Sequence, residues 1–257
     1  MKLAIITLSN EGARVAKRLA GALDGARLYA HAGVDGKLKG ERFGSICGLG
    51  AKIFSRYNGW VCICPCGVVV RAIAPLIKHK TTDPAVVVVD VGARYAISLL
   101  SGHEGGANTL ALRVANILGA EPVVTTTTEA VKDLIVGIGC RRGAPAVAIV
   151  AAVRGALRKA GARLHEVRLL ASADIKSHEA GLLKAAEELG VGVRFITSGE
   201  IRSTARSFRR SKFVAAKVHL PAVAEPSALL AGRRAQLLLP KTIIRGVTVA
   251  IARENCL

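Results

Sequence analysis

Ser98-Leu99-Leu100-Ser101-Gly102-His103-Glu104-Gly105-Gly106-Ala107-Asn108 sets the pattern for the chain on either side of it. Tyr95-Ala96-Ile97 ahead of it is a β-type approach. Behind it, Leu110, Leu112, Val114, Ala115, Ile117 and Leu118 recur at helical spacing. The spacing predicts a strand, a tight glycine turn and a helix start. In such a turn backbone N–H groups face a ligand, and the helix N-terminus favours negative charge. His103 and Glu104 stand side by side there, and both side chains move protons. A plainer reading is equally open: the glycines only make the turn, and Glu104 is an ordinary first-turn acid.

The flanks repeat the alternation of strand and helix. Residues 2–9 are apolar and β-branched, a buried first strand. Asn10 is placed to cap a helix over 11–23, with Val15, Leu19 and Leu23 on one face. Strands are expected over 26–31 and 60–64, with a short helix over 46–57 between them. Pro65-Cys66-Gly67 turns into a helix start at 68–77. Residues 86–89 read as a strand buried on both faces, and 90–94 as a hairpin turn into 95–100. Residues 122–125 close this half. Four consecutive threonines, Thr125 to Thr128, begin a stretch without an apolar run. The division falls there, giving expected domains of residues 1–130 and 131–257.

The second half restarts the rhythm. A strand over 134–138 leads into the turn Gly139-Cys140-Arg141-Arg142-Gly143. A helix over 145–160 follows, with Pro145 at its start. Then come a strand over 167–171, a helix over 179–189, a strand over 193–197 and a short helix from 198. Residues 203–212 are basic, holding Arg206, Arg209, Arg210 and Lys212 without an acid. A helix over 222–230 and a closing hairpin of 235–241 with 246–252 end the chain. The expected fold class is α/β: two α/β domains, each a mainly parallel sheet flanked by helices. Both glycine turns are expected at the carboxyl ends of strands, where open α/β sheets bind ligands.

Composition narrows the partner. Lys and Arg number 37 against 18 Asp and Glu, a net charge of +19. That implies a polyanion: nucleic acid, an acidic membrane or a small molecule with many carboxylates. Aromatics make up only 4%, and no reading motif is present, so nucleic acid ranks last. The longest apolar run, 143–153, is too short to span a bilayer and is closed by Arg154. Residues 1–8 read as a strand and not a leader. A soluble, cytoplasmic protein is expected, with no membrane partner. Cysteines stand at 47, 62, 64, 66, 140 and 256. Cys62-Ile63-Cys64-Pro65-Cys66 lacks zinc-type spacing and reads as buried thiols. A single glutamine and a single methionine fit a thermophilic source.

Several stretches together resemble one family, the cobalamin-pathway protein CbiG, cobalt-precorrin-5A hydrolase. They are Gly67-Val68-Val69-Val70-Arg71-Ala72-Ile73-Ala74-Pro75, Thr81-Thr82-Asp83-Pro84 with the valines to Asp90, and Leu99 to Asn108. Farther on they are Val136-Gly137-Ile138-Gly139-Cys140-Arg141-Arg142-Gly143, Asp174-Ile175-Lys176 with Glu179, and Val223-Ala224-Glu225-Pro226-Ser227-Ala228-Leu229-Leu230. They follow the family's order across nearly the whole chain. Two departures stand out. The family's middle domain is missing between the halves, so it is either dispensable or this chain has a narrower role. Glu129 also stands where the family tends to have Asp.

The resemblance implies opening of a δ-lactone on a cobalt-bound corrinoid, with loss of acetaldehyde, in anaerobic cobalamin synthesis. Cobalt then arrives with the substrate, and no cofactor or protein metal site is expected. The partner is an anionic cobalt-corrinoid, and a homodimer is allowed. The catalytic candidates are His103 and Glu104, with Glu129 and Glu225 as alternative bases. The substrate-binding candidates are Arg71, Gly102, Gly105, Gly106, Asn108, Gly139, Arg141, Arg142, Lys176 and Glu225. Gly105 and Gly106 N–H groups are placed to meet an oxyanion. Arginine suits carboxylates. A macrocycle is wide, so both glycine turns are expected to meet it. Each candidate also has a plain structural reading: a solvated arginine, a helix-start Asn, a local Lys176–Glu179 pair. A non-catalytic corrinoid carrier is the alternative function.

Overall fold

A computed structural model describes residues 1–255; Cys256 lies outside the described residues. The chain divides into two compact units, Met1–Thr126 and Thr127–Leu257.

The first unit begins with β1 (Leu3–Thr7), α1 (Asn10–Ala22), β2 (Arg27–His31), β3 (Glu41–Phe43), α2 (Ile46–Ile53) and β4 (Gly59–Ile63). It continues with α3 (Cys66–Ile73), β5 (Ala85–Val89), β6 (Tyr95–Leu100), α4 (Ala107–Leu118) and β7 (Glu121–Val123). Its sheet has the order β3-β2-β1-β4-β5-β6-β7. Every pair is parallel except β5–β6, where the 90–94 turn reverses the chain. The β-branched runs form strands because both sheet faces are covered. Leu3, Ile5, Val61, Val87 and Val89 pack under α1 and α4. Ala4, Ile6, Trp60, Cys62, Val86 and Val88 pack under α2 and α3. Each aliphatic side chain so buried stabilises the unit by about 1.5–3 kcal/mol before conformational entropy is charged against it.

Two local details differ from expectation. Ser9, not Asn10, caps α1: the Gly12 N–H donates to its hydroxyl at 3.3 Å. Asn10 instead accepts from the Asp35 N–H at 2.7 Å. Strand β3 is the other. Its three residues are too short to show a period.

The second unit opens with α5 (Thr127–Ala130), β8 (Leu134–Gly139), α6 (Ala146–Lys159), β9 (Val167–Ala173) and α7 (Ala180–Leu189). Then come β10 (Val193–Ile196), α8 (Ser198–Ser203), α9 (Lys212–Val218), α10 (Ala224–Leu230), β11 (Gln236–Ile244) and β12 (Val247–Arg253). Sheet order is β10-β9-β8-β12-β11. The first three strands are parallel, and the β11–β12 hairpin adds to β8 antiparallel. Helices α6 and α7 cover one face through Ile149, Val153 and Leu182. Helix α10 lies on the other face so closely that a Cβ on Gly137 would fall 1.9 Å from the Ala224 carbonyl oxygen. Only glycine fits there. Helix α9 was not expected; its residues run on from the basic segment without an amphipathic signal.

No helix among the described residues is long and apolar enough to cross a membrane. The five described cysteines are free. Cys62, within β4, and Cys64, just beyond it, lie in the core, whereas Cys66 opens α3 and is half-buried. Burial pushes the Cys62 and Cys64 thiols up, Cys64 to about 12, with the neighbouring Cys66 adding to the effect there. Among the described residues no group of three or more His, Cys, Asp or Glu is disposed to hold a metal.

Candidate functional site

Strand β6 ends in a sharp corner. Ser101 sits at φ 56°, a left-handed conformation that costs a non-glycine residue about 1–3 kcal/mol. Its hydroxyl is buried and has no hydrogen-bond partner among the described residues. The chain then loops through residues 102–106 and enters α4 from Gly106 at φ 85°. The Ala107 N–H donates to the Ser101 carbonyl at 3.1 Å, and the Asn108 N–H to that of Gly102 at 3.0 Å. The loop folds back so tightly that a Cβ on Gly105 would meet the Ser101 Cβ at 2.4 Å. The N–H groups of Gly105 and Gly106 have no partner among the described residues. Free N–H donors beside a helix N-terminus favour an anion.

His103 and Glu104 are both exposed on this turn. Lys80, from the loop before β5, donates to Glu104 Oε1 at 2.5 Å. That bond, ahead of Glu104's own backbone N–H and the nearby His103 charge, holds its carboxyl below the usual range. A carboxylate so stabilised is a weaker base. Lys80 is a partner that the sequence does not point to. Its partner lies 24 residues away, and nothing local signals the pairing. Ser101 was likewise passed over.

Asn108 does not reach toward a ligand. Its Oδ1 accepts from the Ser98 hydroxyl at 2.8 Å, and its Nδ2 donates to the Thr126 hydroxyl at 2.9 Å. With both ends of its amide in use, it is a clamp under the turn. Arg71 is not brought to the turn either. It is exposed on α3, and its guanidinium donates to the Gly67 carbonyl at 3.1 Å. Helix α3 follows the carboxyl end of β4, whereas β6 is antiparallel to β5, with Leu100 opposite Val86. The glycine turn therefore sits at the other sheet edge, one five-residue strand or about 16 Å away. This corrects the expectation that it shares the edge of the parallel strands' carboxyl ends.

In the second unit the 139–143 turn does follow the carboxyl end of β8, on the same edge as Asp174–Lys176 after β9. Gly139 closes the strand between Val223 and Thr248. Glu179 Oε1 accepts the Gly143 N–H at 2.7 Å, and its other oxygen pairs with Lys176 at 3.0 Å. Burial pushes the Glu179 carboxyl up, but Lys176, the Gly143 N–H and Arg142 outweigh it and hold the group below the usual range. Burial raises the Cys140 thiol beside them, and Lys176 partly offsets that. Lys176 thus spends its charge on Glu179, while Arg141 and Arg142 stay exposed. Glu225 is 2% exposed, and both its oxygens are taken, by the Arg209 N–H at 2.6 Å and the Lys241 N–H at 2.7 Å. It braces backbone, so neither a substrate contact nor a base role suits it. Glu129 is paired with Lys132 at 2.7 Å.

Both turns fall inside stretches that match known families. The model of the cobalamin synthesis G N-terminal domain matches residues 49–129, and that of the cobalamin synthesis G C-terminus matches residues 134–252. A Sinorhizobium protein named CobE is 35% identical over 128 residues, taking in 49% of this chain and 83% of its own. The chain belongs to the CbiG family. A CbiG relative from Salmonella typhimurium, named cobalt-precorrin-5A hydrolase, is 40% identical over 131 residues. The match takes in 49% of this chain and 36% of that relative, so the chain spans little more than a third of its length. A CbiG relative from Methanocaldococcus jannaschii, named probable cobalt-precorrin-5A hydrolase, is 23% identical over 336 aligned residues, covering 99% of this chain and 100% of that one.

Proposed function

We propose that this chain hydrolyses the δ-lactone of cobalt-precorrin-5A, the reaction named for its Salmonella and Methanocaldococcus relatives. The observation that carries the reading is the 102–106 turn: an exposed imidazole, a held carboxylate and two partner-free N–H groups within five residues. Acyl transfer to water needs a base and an oxyanion site, and this turn has groups for both.

His103 takes a proton from water, oriented by Glu104 on Lys80. The hydroxide adds to the lactone carbonyl, and the Gly105 and Gly106 N–H groups donate to the oxyanion. The tetrahedral adduct collapses, the ring C–O bond breaks, and the leaving oxygen takes the proton from His103. That yields a carboxylic acid and an alcohol. The alcohol carbon then departs as acetaldehyde: its O–H proton is lost, the C–C bond to the macrocycle breaks, and the bonding pair stays with the macrocycle. Cobalt is part of the substrate. The substrate's acetate and propionate arms suit a chain of net charge +19, with Arg141 and Arg142 free to meet them.

The test is to incubate purified protein with cobalt-precorrin-5A and follow mass and trapped aldehyde. Gain of one water and loss of one acetaldehyde supports the reading. Tight corrinoid binding without turnover gives the site to a carrier function instead.

A further inference from the structure

The basic segment after α8 has no part in the reaction above, yet it is built into a definite place. Arg202, Thr204, Arg206, Ser207 and Arg210 line a cavity of about 210 Å³. A second cavity of about 300 Å³ shares Arg206 and Ser207 with it and continues onto Leu229 and Leu237. One wall is therefore cationic and the adjoining one apolar.

The cations have little else to do. The Arg206 guanidinium donates once, to the Ala235 carbonyl at 2.7 Å, and its other N–H groups have no partner among the described residues. Arg202 and Arg210 are exposed and have no ion-pair partner among the described residues. The nearest acids are engaged. Glu200 accepts from the Thr197 N–H and hydroxyl, and Glu225 accepts from the Arg209 and Lys241 N–H groups. Glu225 ties the backbone of the arginine segment to β11.

We infer that these neighbouring cavities bind an aliphatic polycarboxylate arm. A carboxylate meets the forked donors of Arg202, Arg206 and Arg210, which match its two oxygens. The methylenes behind it lie against Leu229 and Leu237. The apolar continuation favours a carboxyalkyl group over a phosphate, which would leave that wall empty. The inference concerns the ligand's arms and not the lactone chemistry, so it stands or falls without the hydrolysis reading.

The experiment titrates the whole chain with propane-1,2,3-tricarboxylate at low salt, reading amide NMR shifts. Parallel titrations use inorganic pyrophosphate and the double variant Arg202→Gln/Arg210→Gln. Both substituted residues are exposed, so the variant should melt with the wild type. The expected result is saturable shifts at residues 204–210, with affinity at least tenfold weaker in the variant. Equal affinity in the variant, or pyrophosphate bound in preference to the tricarboxylate, overturns the assignment. A variant that melts early is replaced by the two single substitutions, read against the same criteria.

Discussion

At the end of β6 the chain turns through a strained serine, and its helix is clamped from below by a neutral amide, Asn108. At the end of β8 it turns through Gly139 to Gly143, and a half-buried carboxylate, Glu179, holds the turn shut with Lys176 behind it. In sequence the two turns look alike: strand, glycines, helix. In space they differ in what they leave over. The first spends neutral groups on its own scaffold and keeps its proton-moving groups and two N–H donors outward. The second spends its acid and lysine internally and keeps only arginines outward. Under the proposed reading, the first kind of turn serves chemistry and the second serves to hold an anion.

The sharpest way to break that contrast is His103→Ala. Removing a general base should slow lactone opening by about 10²–10⁴-fold, with an unchanged melting temperature because the imidazole is exposed. Normal turnover would move the base elsewhere and dissolve the distinction. Next in size is Glu179→Ala. It removes charged hydrogen bonds to Gly143 and Lys176 that are worth about 1.5–3 kcal/mol, and calorimetry should show that loss of stability. A neutral result would make the second turn self-supporting like the first.

Acidification offers a smaller, graded version. The folded Glu179 carboxyl lies below its ordinary value of 4.5, so its contribution to stability is fully present above that value. It fades as pH falls through the lower folded value. The stability–pH curve should therefore steepen below about pH 4.5, and Glu179→Gln should flatten it there. The smallest effect belongs to Lys80→Ala. Its pair with Glu104 is solvent-exposed, and such pairs contribute little to stability. Its melting temperature should match the wild type within replicate scatter, and a clear drop would show that the first turn also leans on charge.

Much of this was legible in the sequence. The apolar five-residue strands, the helix after Asn108 and the closing hairpin were all set by period and turn residues. The edge on which the first glycine turn stands was not read correctly, although the hairpin at 90–94 already implies it: one reversal sends the carboxyl end of β6 to the far side. Lys80 and Glu104 meet across 24 residues, and Glu225 reaches backbone 16 residues away in each direction. Local patterns carry no trace of such pairings. The strain at Ser101 is equally invisible, since serine is common in turns of every kind.

The Asn108 clamp reaches past the turn it supports. Thr126, which it holds, is the last residue of the first unit. The chain is thus moored before it leaves for α5, and what lies beyond the mooring does not pull on the turn. Residues 127–133 carry no strand of either sheet, so a change of length there leaves both registers as they are.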